Sequence, residues 1–144
     1  LGQYDKAVDA YREAAELGDL ADPVMLGLAD AHLRLGNYQR AINVLRTLLR
    51  RQDSATAHER LGYALFKLRQ FDEALREYRT AARLDPKDTA ALNGGGATLM
   101  TMYIQGNRDR TSMRDEAITA WRRSVQLRAD QPRIIDLLAR YGRM

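Results

Sequence analysis

The sequence contains no cysteine, only three prolines and few aromatic residues, which make up 7% of its 144 residues. Without cysteine there can be no disulfide bridge, no thiolate zinc site and no cysteine nucleophile. Proline interrupts helices and aromatic residues favour strands, so their scarcity in a chain rich in Ala, Leu and Arg favours α-helices. No long apolar run is present, and we therefore expect no membrane span.

The residues that are present suit one folded domain over 1–144. Apolar residues make up 45% of the chain and charged residues 29%, with a formal net charge of +4. This composition is too apolar for a disordered tail. The N-terminal residues show no basic segment followed by an apolar one, so no location is indicated. A cytoplasmic and a periplasmic location are both compatible with the sequence.

A short motif recurs along the chain at a nearly constant interval. Its aromatic residues, Tyr4, Tyr38 and Phe71, are separated by 34 and 33 residues. Small and apolar residues follow each of them at steps of three and four, which puts them on one face of a helix. These residues are Ala7, Tyr11, Ala14 and Leu17, then Ala41, Leu45 and Leu48, then Ala74, Tyr78, Ala81 and Leu84.

A second set of apolar faces lies between these helices, so each repeat is predicted to be a pair of helices. The faces comprise Met25, Leu28, Ala29 and His32, then His58, Leu61, Gly62 and Leu65, then Leu92, Gly95, Gly96 and Leu99. Residues suited to N-cap positions precede them, namely Asp22 before a proline, the pair Asp53-Ser54, and Asp88. Ser112 with Asp115 predicts a capping box at the start of a later helix.

Two helices per 34 residues, with small residues at the eighth and twentieth positions and an aromatic residue at the turn, resemble the tetratricopeptide repeat. The matching residues are Leu28-Ala29, Leu61-Gly62 and Gly95-Gly96, the aromatics Tyr4, Tyr38 and Phe71, the alanines Ala7, Ala41, Ala74 and Ala117, and Pro86. The resemblance implies an all-α, right-handed superhelical solenoid of antiparallel helix pairs with a C-terminal capping helix.

The predicted units are a half repeat over 1–21, repeats over 22–54 and 55–88, a degenerate repeat over 89–131 and a capping helix over 132–144. The half repeat holds only a second helix, which leaves its apolar face open. A solenoid unit does not bury its face alone. The chain is therefore predicted to be a fragment of a longer protein, or to form a homo-oligomer through this helix. In the capping helix, Ile135, Leu138 and Ala139 are predicted to pack.

The fourth unit differs from the others in length and in glycine content. Ala117 follows Ala74 by 43 residues, about nine more than the period, and we place an insertion near 105–112. The insertion is either a partner contact or an inert surface turn. Gly94, Gly95 and Gly96 lie within a predicted helix. They indicate either close packing at the seventh and eighth positions or, at Gly94, a backbone open to a ligand.

Enzymatic chemistry is not indicated by the sequence. The two histidines, His32 and His58, lie on packed faces and at different places in their units, which favours packing over catalysis. No histidine pair has zinc spacing, and the glycine run lacks the Lys-Ser/Thr of a phosphate loop. We therefore expect a non-catalytic protein with no metal and no cofactor.

A nucleic-acid partner is also not expected. The arginines cluster at helix ends, at Arg46, Arg50 and Arg51 and at Arg122, Arg123 and Arg128. The helix dipole stabilises cations at such ends. Nucleic-acid binding would need a continuous basic stripe with stacking aromatic residues, and most aromatic residues here belong to the packed faces.

The resemblance implies that the first helices of the units line a concave groove. Applied to this sequence, the groove positions include seven candidate binding residues: Asp30, Arg34, Arg60, Tyr63, Phe66, Lys67 and Asn93. Tyr63 and Phe66 lie outside the packed faces, and Arg60 and Lys67 flank them, which suits a peptide with a carboxylate. The predicted function is a protein-interaction scaffold that binds a peptide or partner segment. The alternatives are a self-association module, or the arm of a larger enzyme whose catalytic domain lies outside this sequence.

Overall fold

The computed structural model describes residues 2–16, 21–106 and 108–143, without the side chains of 11–16. Within these ranges the chain forms eight α-helices and no strand. The helices are α1 (Gly2–Glu16), α2 (Asp22–Arg34), α3 (Tyr38–Arg51), α4 (Ala55–Lys67), α5 (Phe71–Leu84), α6 (Thr89–Gln105), α7 (Thr111–Leu127) and α8 (Pro132–Tyr141). None of these described helices is both long enough and apolar enough to cross a bilayer.

Each helix packs against the next one in the chain, and α4 also contacts both α2 and α6. The first helices of successive pairs therefore lie side by side, as in a solenoid in which each unit contacts its neighbours. This confirms the all-α, right-handed solenoid of antiparallel pairs. The predicted bounds 22–54, 55–88 and 89–131 contain the pairs α2/α3, α4/α5 and α6/α7.

Alanines form the closest helix contacts. Ala29, Ala41, Ala74 and Ala117 are completely inaccessible to solvent, and small side chains at such contacts let helices approach to about 8 Å. In α1, Val8 is buried and Tyr4 is exposed. The side chains of Tyr11 and Ala14, and Leu17 as a whole, belong to the predicted face of this helix but lie outside the described residues.

Two of the four predicted helix starts are confirmed. The Ser54 hydroxyl accepts a hydrogen bond from the Ala57 amide at 3.2 Å, and the Asp88 carboxylate accepts one from the Ala91 amide at 3.0 Å. The prediction for Asp22 is wrong by one residue, because Ala21 holds the N-cap position and the proline lies inside the first turn. The prediction of a capping box at Ser112 is also wrong, since α7 begins at Thr111 and its N-cap makes no side-chain hydrogen bond.

The extra residues of the fourth unit mostly lengthen its helices. Helix α6 has 17 residues against 13 in α4, and α7 has 17 against 14 in α5. The connection 106–110 is only two residues longer than the connection 68–70. The insertion is therefore a longer hairpin tip rather than one long loop. Asn107, within the predicted insertion, lies outside the described residues.

The longer tip of the α6/α7 hairpin also supplies an aromatic residue, because α7 has none at the position where the earlier second helices begin with one. Arg114 stands where the other units have Tyr38 or Phe71. In the added turn of α6, Tyr103 is buried in the core formed with α7, and the Arg114 guanidinium lies 5.9 Å from the Tyr103 ring centroid. The aromatic residue of this hairpin thus comes from the first helix.

The glycine run in α6 gives room to two aromatic rings. A Cβ atom at Gly94 would lie 2.3 Å from the ring of Tyr78, and a Cβ atom at Gly96 would lie 2.3 Å from Nε1 of Trp121. At Gly95 the nearest atom would be 3.5 Å away, an ordinary contact. Close packing therefore excludes a side chain at the sixth and eighth positions of the unit, Gly94 and Gly96. At the seventh position Gly95 is buried, as predicted, but its packing leaves room for a Cβ atom.

Helix α8 packs on α7, but not through all of the predicted residues. Ile134 is buried, and Leu137, Leu138 and Tyr141 pack against the same core, whereas Ile135 is 47% exposed. Leu138 was predicted correctly, while the predictions for Ile135 and Ala139 were wrong. The buried residues are spaced by three and four, so the face of α8 that meets α7 begins one residue earlier than the repeat register indicates.

Candidate functional site

The seven candidate residues line two adjoining cavities on one face of the solenoid. The α2/α4 cavity, of about 410 Å³, is lined by Asp30, Leu33, Arg34, Glu59, Arg60 and Tyr63. The α6/α8 cavity, of about 600 Å³, is lined by residues of α4, α6 and α8 that include Tyr63, Phe66, Lys67 and Asn93. Glu59 and Tyr63 border both cavities, and we refer to the two neighbouring cavities together as the groove.

Charges in the α2/α4 cavity largely pair with one another. Nε of Arg60 donates to Oδ1 of Asp30 at 2.9 Å, and its Nη1 forms an ion pair with Glu59. Arg60 thus lies between two carboxylates of its own chain, and its predicted role in binding a ligand carboxylate stays a prediction. Among the described residues Arg34 has no carboxylate within ion-pair distance, so it is the cation of this cavity that can take a new partner.

Glu59 is a buried acid at the middle of the groove, only 8% exposed. Burial raises the pKa of its carboxyl, and the adjacent Arg60 opposes this shift without cancelling it. Perturbed titratable groups are frequent at functional sites, but structural ion pairs perturb pKa values as well. Here burial is a sufficient structural explanation for the raised pKa.

The two aromatic residues of the groove differ in how freely they can meet a ligand. Tyr63 is 37% exposed, meets the Tyr38 ring edge-on at 6.3 Å, and lies 5.6 Å from the Lys67 ammonium. Phe66 is half-buried and packs edge-on against Phe71 at 5.4 Å. The prediction that Phe66 lies outside the packing is therefore wrong in part, because Phe66 both packs against the core and borders the groove.

The α6/α8 cavity has a wall that the seven candidates did not include. Helix α8 contributes Arg133, Ile134 and Leu137, and the segment before it contributes Arg128, Asp130 and Gln131. The rings of Tyr78 and Trp121, both almost fully buried, border the inner side. A signal for this wall was present in the sequence: counted as a further first helix, α8 has Arg133 and Leu137 at the second and sixth positions, which face the groove in the earlier units.

Asn93 is held by a chain of hydrogen bonds from α7. Nε2 of Gln131 donates to the backbone oxygens of Ser124, at 2.9 Å, and Arg128, at 2.7 Å. Because those carbonyls only accept, the Gln131 amide has one orientation, and its Oε1 accepts from Nδ2 of Asn93 at 2.7 Å. Oδ1 of Asn93 is left as a buried acceptor with no donor among the described residues.

The histidines lie outside both cavities. His32 is buried, and His58 is largely buried, which agrees with the predicted packing role. The His58 ring bridges two carboxylates, with Nε2 at 2.6 Å from Asp53 and Nδ1 at 2.5 Å from Glu77, so it ties the start of α4 to α5. In the part of the chain that the structure describes, no group of three histidine, aspartate or glutamate side chains is placed to hold a metal ion.

Known proteins that resemble this chain in sequence include the following two. Dynein axonemal assembly factor 4 of Rattus norvegicus is 32% identical over 112 residues, which cover 72% of this chain and 26% of that protein. Protein O-mannosyl-transferase TMTC1 of Homo sapiens is 27% identical over 132 residues, which cover 90% of this chain and 14% of that protein. The chain thus spans about a quarter or less of the length of these relatives.

Solved structures share the fold at low sequence identity. YrrB, described as a TPR protein with an unusual peptide-binding site, superimposes with a TM-score of 0.77 at 18% identity, over 94% of this chain and 66% of that chain. The first TPR of Spaghetti (RPAP3), bound to the HSP90 peptide SRMEEVD, gives 0.75 at 17% identity, over 85% and 90%. A tetratricopeptide repeat model matches residues 1–42 and 26–89, more than half of the sequence. This chain therefore belongs to the tetratricopeptide repeat family.

Proposed function

We propose that this chain is a non-catalytic protein-interaction scaffold that binds an extended peptide or partner segment along its groove. The observation that carries the proposal is that the α2/α4 and α6/α8 cavities lie next to each other and share Glu59 and Tyr63. Two neighbouring, partly apolar cavities with hydrogen-bonding groups suit an extended polypeptide better than a compact metabolite.

The similar structures support a peptide as the ligand. YrrB is described by its peptide-binding site, and the RPAP3 repeat domain carries a bound peptide. Tetratricopeptide repeat domains in general are interaction modules, which supports a scaffold rather than an enzyme.

The experiment that tests the groove uses peptides selected from a random phage-displayed library on the immobilised chain. Tyr63→Ala removes the exposed ring shared by both cavities and should weaken the selected peptides by at least about tenfold, as expected of an aromatic anchor. Tyr4→Ala is the matched control, because Tyr4 is also 37% exposed and lines neither cavity. Equal affinities for the two variants, with both folded by circular dichroism, would place binding elsewhere.

A second candidate function, the arm of a larger enzyme, is supported by one comparison. TMTC1 is named as a transferase, and this chain matches only 14% of it. A catalytic domain in the parent gene outside these 144 residues would establish that reading. Self-association through α1 stays a prediction, and sedimentation over a concentration series tests it, since a monomer at every concentration would exclude it.

A further inference from the structure

Helix α3 carries positive charge only. Its 14 residues include four arginines and no aspartate or glutamate, whereas α5 has three arginines and three acidic residues. Arg40 stands in the first turn of α3, where the helix dipole favours acidic residues. The equivalent positions of α5 and α7 hold Glu73 and Glu116. The helix dipole therefore does not account for the charge at Arg40.

Three of these arginines lie on the side of α3 that faces solvent. With 3.6 residues per turn, Arg40, Arg46 and Arg50 fall within an arc of about 120° around the helix axis. All three side chains are exposed, and the residues between them on this arc are polar. The α3 outer face consists of Gln39, Arg40, Asn43, Arg46, Thr47 and Arg50. None of the six lines the α2/α4 cavity or the α6/α8 cavity, so this face is separate from the groove.

Two of the three arginines on the α3 outer face have no carboxylate within ion-pair distance among the described residues. These are Arg40 and Arg50, and Nη2 of Arg50 donates to the Thr47 hydroxyl at 2.9 Å. Arg46 pairs with Glu73 of α5 at 3.3 Å, and both of these side chains are nearly half exposed. Guanidinium groups in this state can take an anionic partner.

The surroundings of the α3 outer face limit the kind of anion that it suits. None of its six residues is aromatic or apolar, so it offers no ring on which a base could stack and no side chain to insert into a bilayer. Helix α5, which Arg46 contacts through Glu73, adds the exposed Asp72 and would repel a polyanion that extends across both helices. The basic strip is therefore about 10 Å wide and about 15 Å long from Arg40 to Arg50. A strip of this size suits a single acidic segment of a protein better than a nucleic-acid strand or a membrane surface.

We propose that the α3 outer face is a second interaction surface, which binds an acidic segment of a partner protein through its carboxylates. Arg46 and Arg50 are four residues apart, about 6 Å along the axis, which is also the spacing of two glutamates one turn apart on a partner helix. Such a helix can pair with both arginines. Arg40, about 9 Å from Arg46 along α3, takes a further carboxylate. This inference goes beyond the proposed function, because it assigns a ligand class to a surface outside the groove.

The first test measures the binding of three labelled peptides with blocked ends to the full chain by fluorescence anisotropy. The acidic probe is an alanine-rich helix with glutamate at every fourth position, and the other two peptides carry lysine or glutamine at those positions. The acidic probe should bind most tightly, and added salt should weaken it, because exposed ion pairs are screened. Equal affinity for the glutamine peptide would overturn the proposal.

The second test reverses the charge of single arginines. Arg40→Glu introduces the residue that α5 and α7 hold at the equivalent position, and an acid in the first turn is favourable, so the variant is expected to fold. It should weaken the acidic probe by about fivefold or more, and Arg50→Glu should do the same.

Arg83→Glu is the matched control for Arg50→Glu. Arg83 is exposed, occupies the equivalent position in the last turn of α5, and changes the net charge equally. Equal weakening by these two variants would indicate a general charge effect and refute the surface.

Tyr63→Ala separates this surface from the groove. It should leave the affinity for the acidic probe unchanged, and a loss in Tyr63→Ala without a loss in Arg40→Glu would place the probe in the groove and overturn the inference. If Tyr63→Ala has no effect on the selected groove peptides while Arg40→Glu weakens the acidic probe, the proposed function fails and the α3 outer face stands.

Two further measurements test other occupants of the α3 outer face. A single-stranded oligonucleotide or a phosphatidylserine vesicle that binds more tightly than the acidic probe, and loses affinity in Arg40→Glu, would assign the face to phosphate groups and overturn the proposal. Self-association in sedimentation that Arg40→Glu abolishes would assign the face to a second copy of this chain and overturn it as well. A monomer in both proteins, with the acidic probe bound only by the wild type, is the expected result.

Discussion

Alanine substitutions at Gly94 and Gly95, two consecutive glycines of α6, are expected to differ in their effect on stability. Any glycine in a helix interior costs about 1 kcal/mol relative to alanine, so each substitution brings the same gain in helix propensity. The difference between sites is the space that the new methyl group finds. At Gly95 it meets only Cβ of Tyr78 at 3.5 Å, whereas at Gly94 it would lie 2.3 Å from the Tyr78 ring.

The stability cost of a methyl group at position 94 depends on whether the Tyr78 ring can move away from it. Its ring is buried, and its base lies 3.1–3.2 Å from the position of a Cβ on Gly62, so it is confined near two first helices at once. Overpacking of this kind costs about 1–3 kcal/mol. Gly95→Ala should therefore raise the free energy of unfolding by about 1 kcal/mol. Gly94→Ala should fall below Gly95→Ala by about 1–3 kcal/mol.

Urea denaturation followed by circular dichroism measures these differences, and a double-mutant cycle identifies their cause. Tyr78→Leu places in α5 the residue that Leu45 provides at the equivalent position of α3. In that background the penalty of Gly94→Ala relative to Gly95→Ala should disappear, because the ring that causes the clash is gone. If Gly94→Ala is as stable as Gly95→Ala in the wild-type background, or if the penalty persists without Tyr78, the explanation of the glycine run is wrong.

Three further predictions concern buried groups. Gln131→Glu keeps the shape of the side chain but turns an acceptor towards the Ser124 and Arg128 carbonyls. It should therefore lower the free energy of unfolding, measured by urea titration, by about 3 kcal/mol. An unchanged urea midpoint would contradict the proposed chain of hydrogen bonds. Burial raises the pKa of the Tyr78 phenol above its ordinary value of 10, so the folded state keeps a proton that the unfolded state releases. Stability should fall as the pH rises above about 10, and Tyr78→Phe should reduce that slope in pH-dependent denaturation; an equal slope would refute the assignment. Tyr103→Ala should cost about 3–5 kcal/mol in thermal or urea unfolding, because it empties the core of the longer hairpin tip. Tyr4→Ala should change the unfolding free energy by no more than about 0.5 kcal/mol, and equal losses in the two variants would be inconsistent with a buried Tyr103.

The fold was predictable because the period of the sequence fixes it. Tyr4, Tyr38 and Phe71 recur at the repeat length, and the steps of three and four behind them specify helices without any knowledge of long-range contacts. Caps are local as well, so those at Ser54 and Asp88 were predicted correctly. The start of α7 was not, since its first turn is an addition that the repeat pattern does not contain.

The state of Arg60 could not be predicted in this way. The groove register gives its position, but whether its charge is available depends on Asp30, which lies 30 residues earlier and reaches it only when α2 and α4 lie side by side. Phe66 presents the same difficulty, because its contact with Phe71 depends on the angle between two helices. The repeat register thus predicts which residues lie at groove positions, but it does not predict which other side chains each of them contacts.

The glycines of the first helices follow a rule that could have been derived from the sequence. An aromatic residue at one position of the second helix goes with glycine at the eighth position of the first helix. Tyr78 and Trp121 occupy the equivalent position of their second helices, and in both units the eighth position of the first helix, Gly62 or Gly96, is the residue that their rings contact. Where that position of the second helix holds Leu45, the eighth position is Ala29, because a smaller side chain leaves room for a methyl group.

The same reasoning accounts for Gly94, which belongs to the unit after that of Tyr78. The tip of the Tyr78 ring extends past its own first helix to the next one, whereas the equivalent position after Leu45 holds the large side chain of Arg60. Tyr78 therefore determines the shape of the groove where the α6/α8 cavity begins. If a ligand binds in the groove as proposed, this buried ring limits how deep a ligand side chain can enter, and substitutions at Tyr78 should alter ligand preference along with stability.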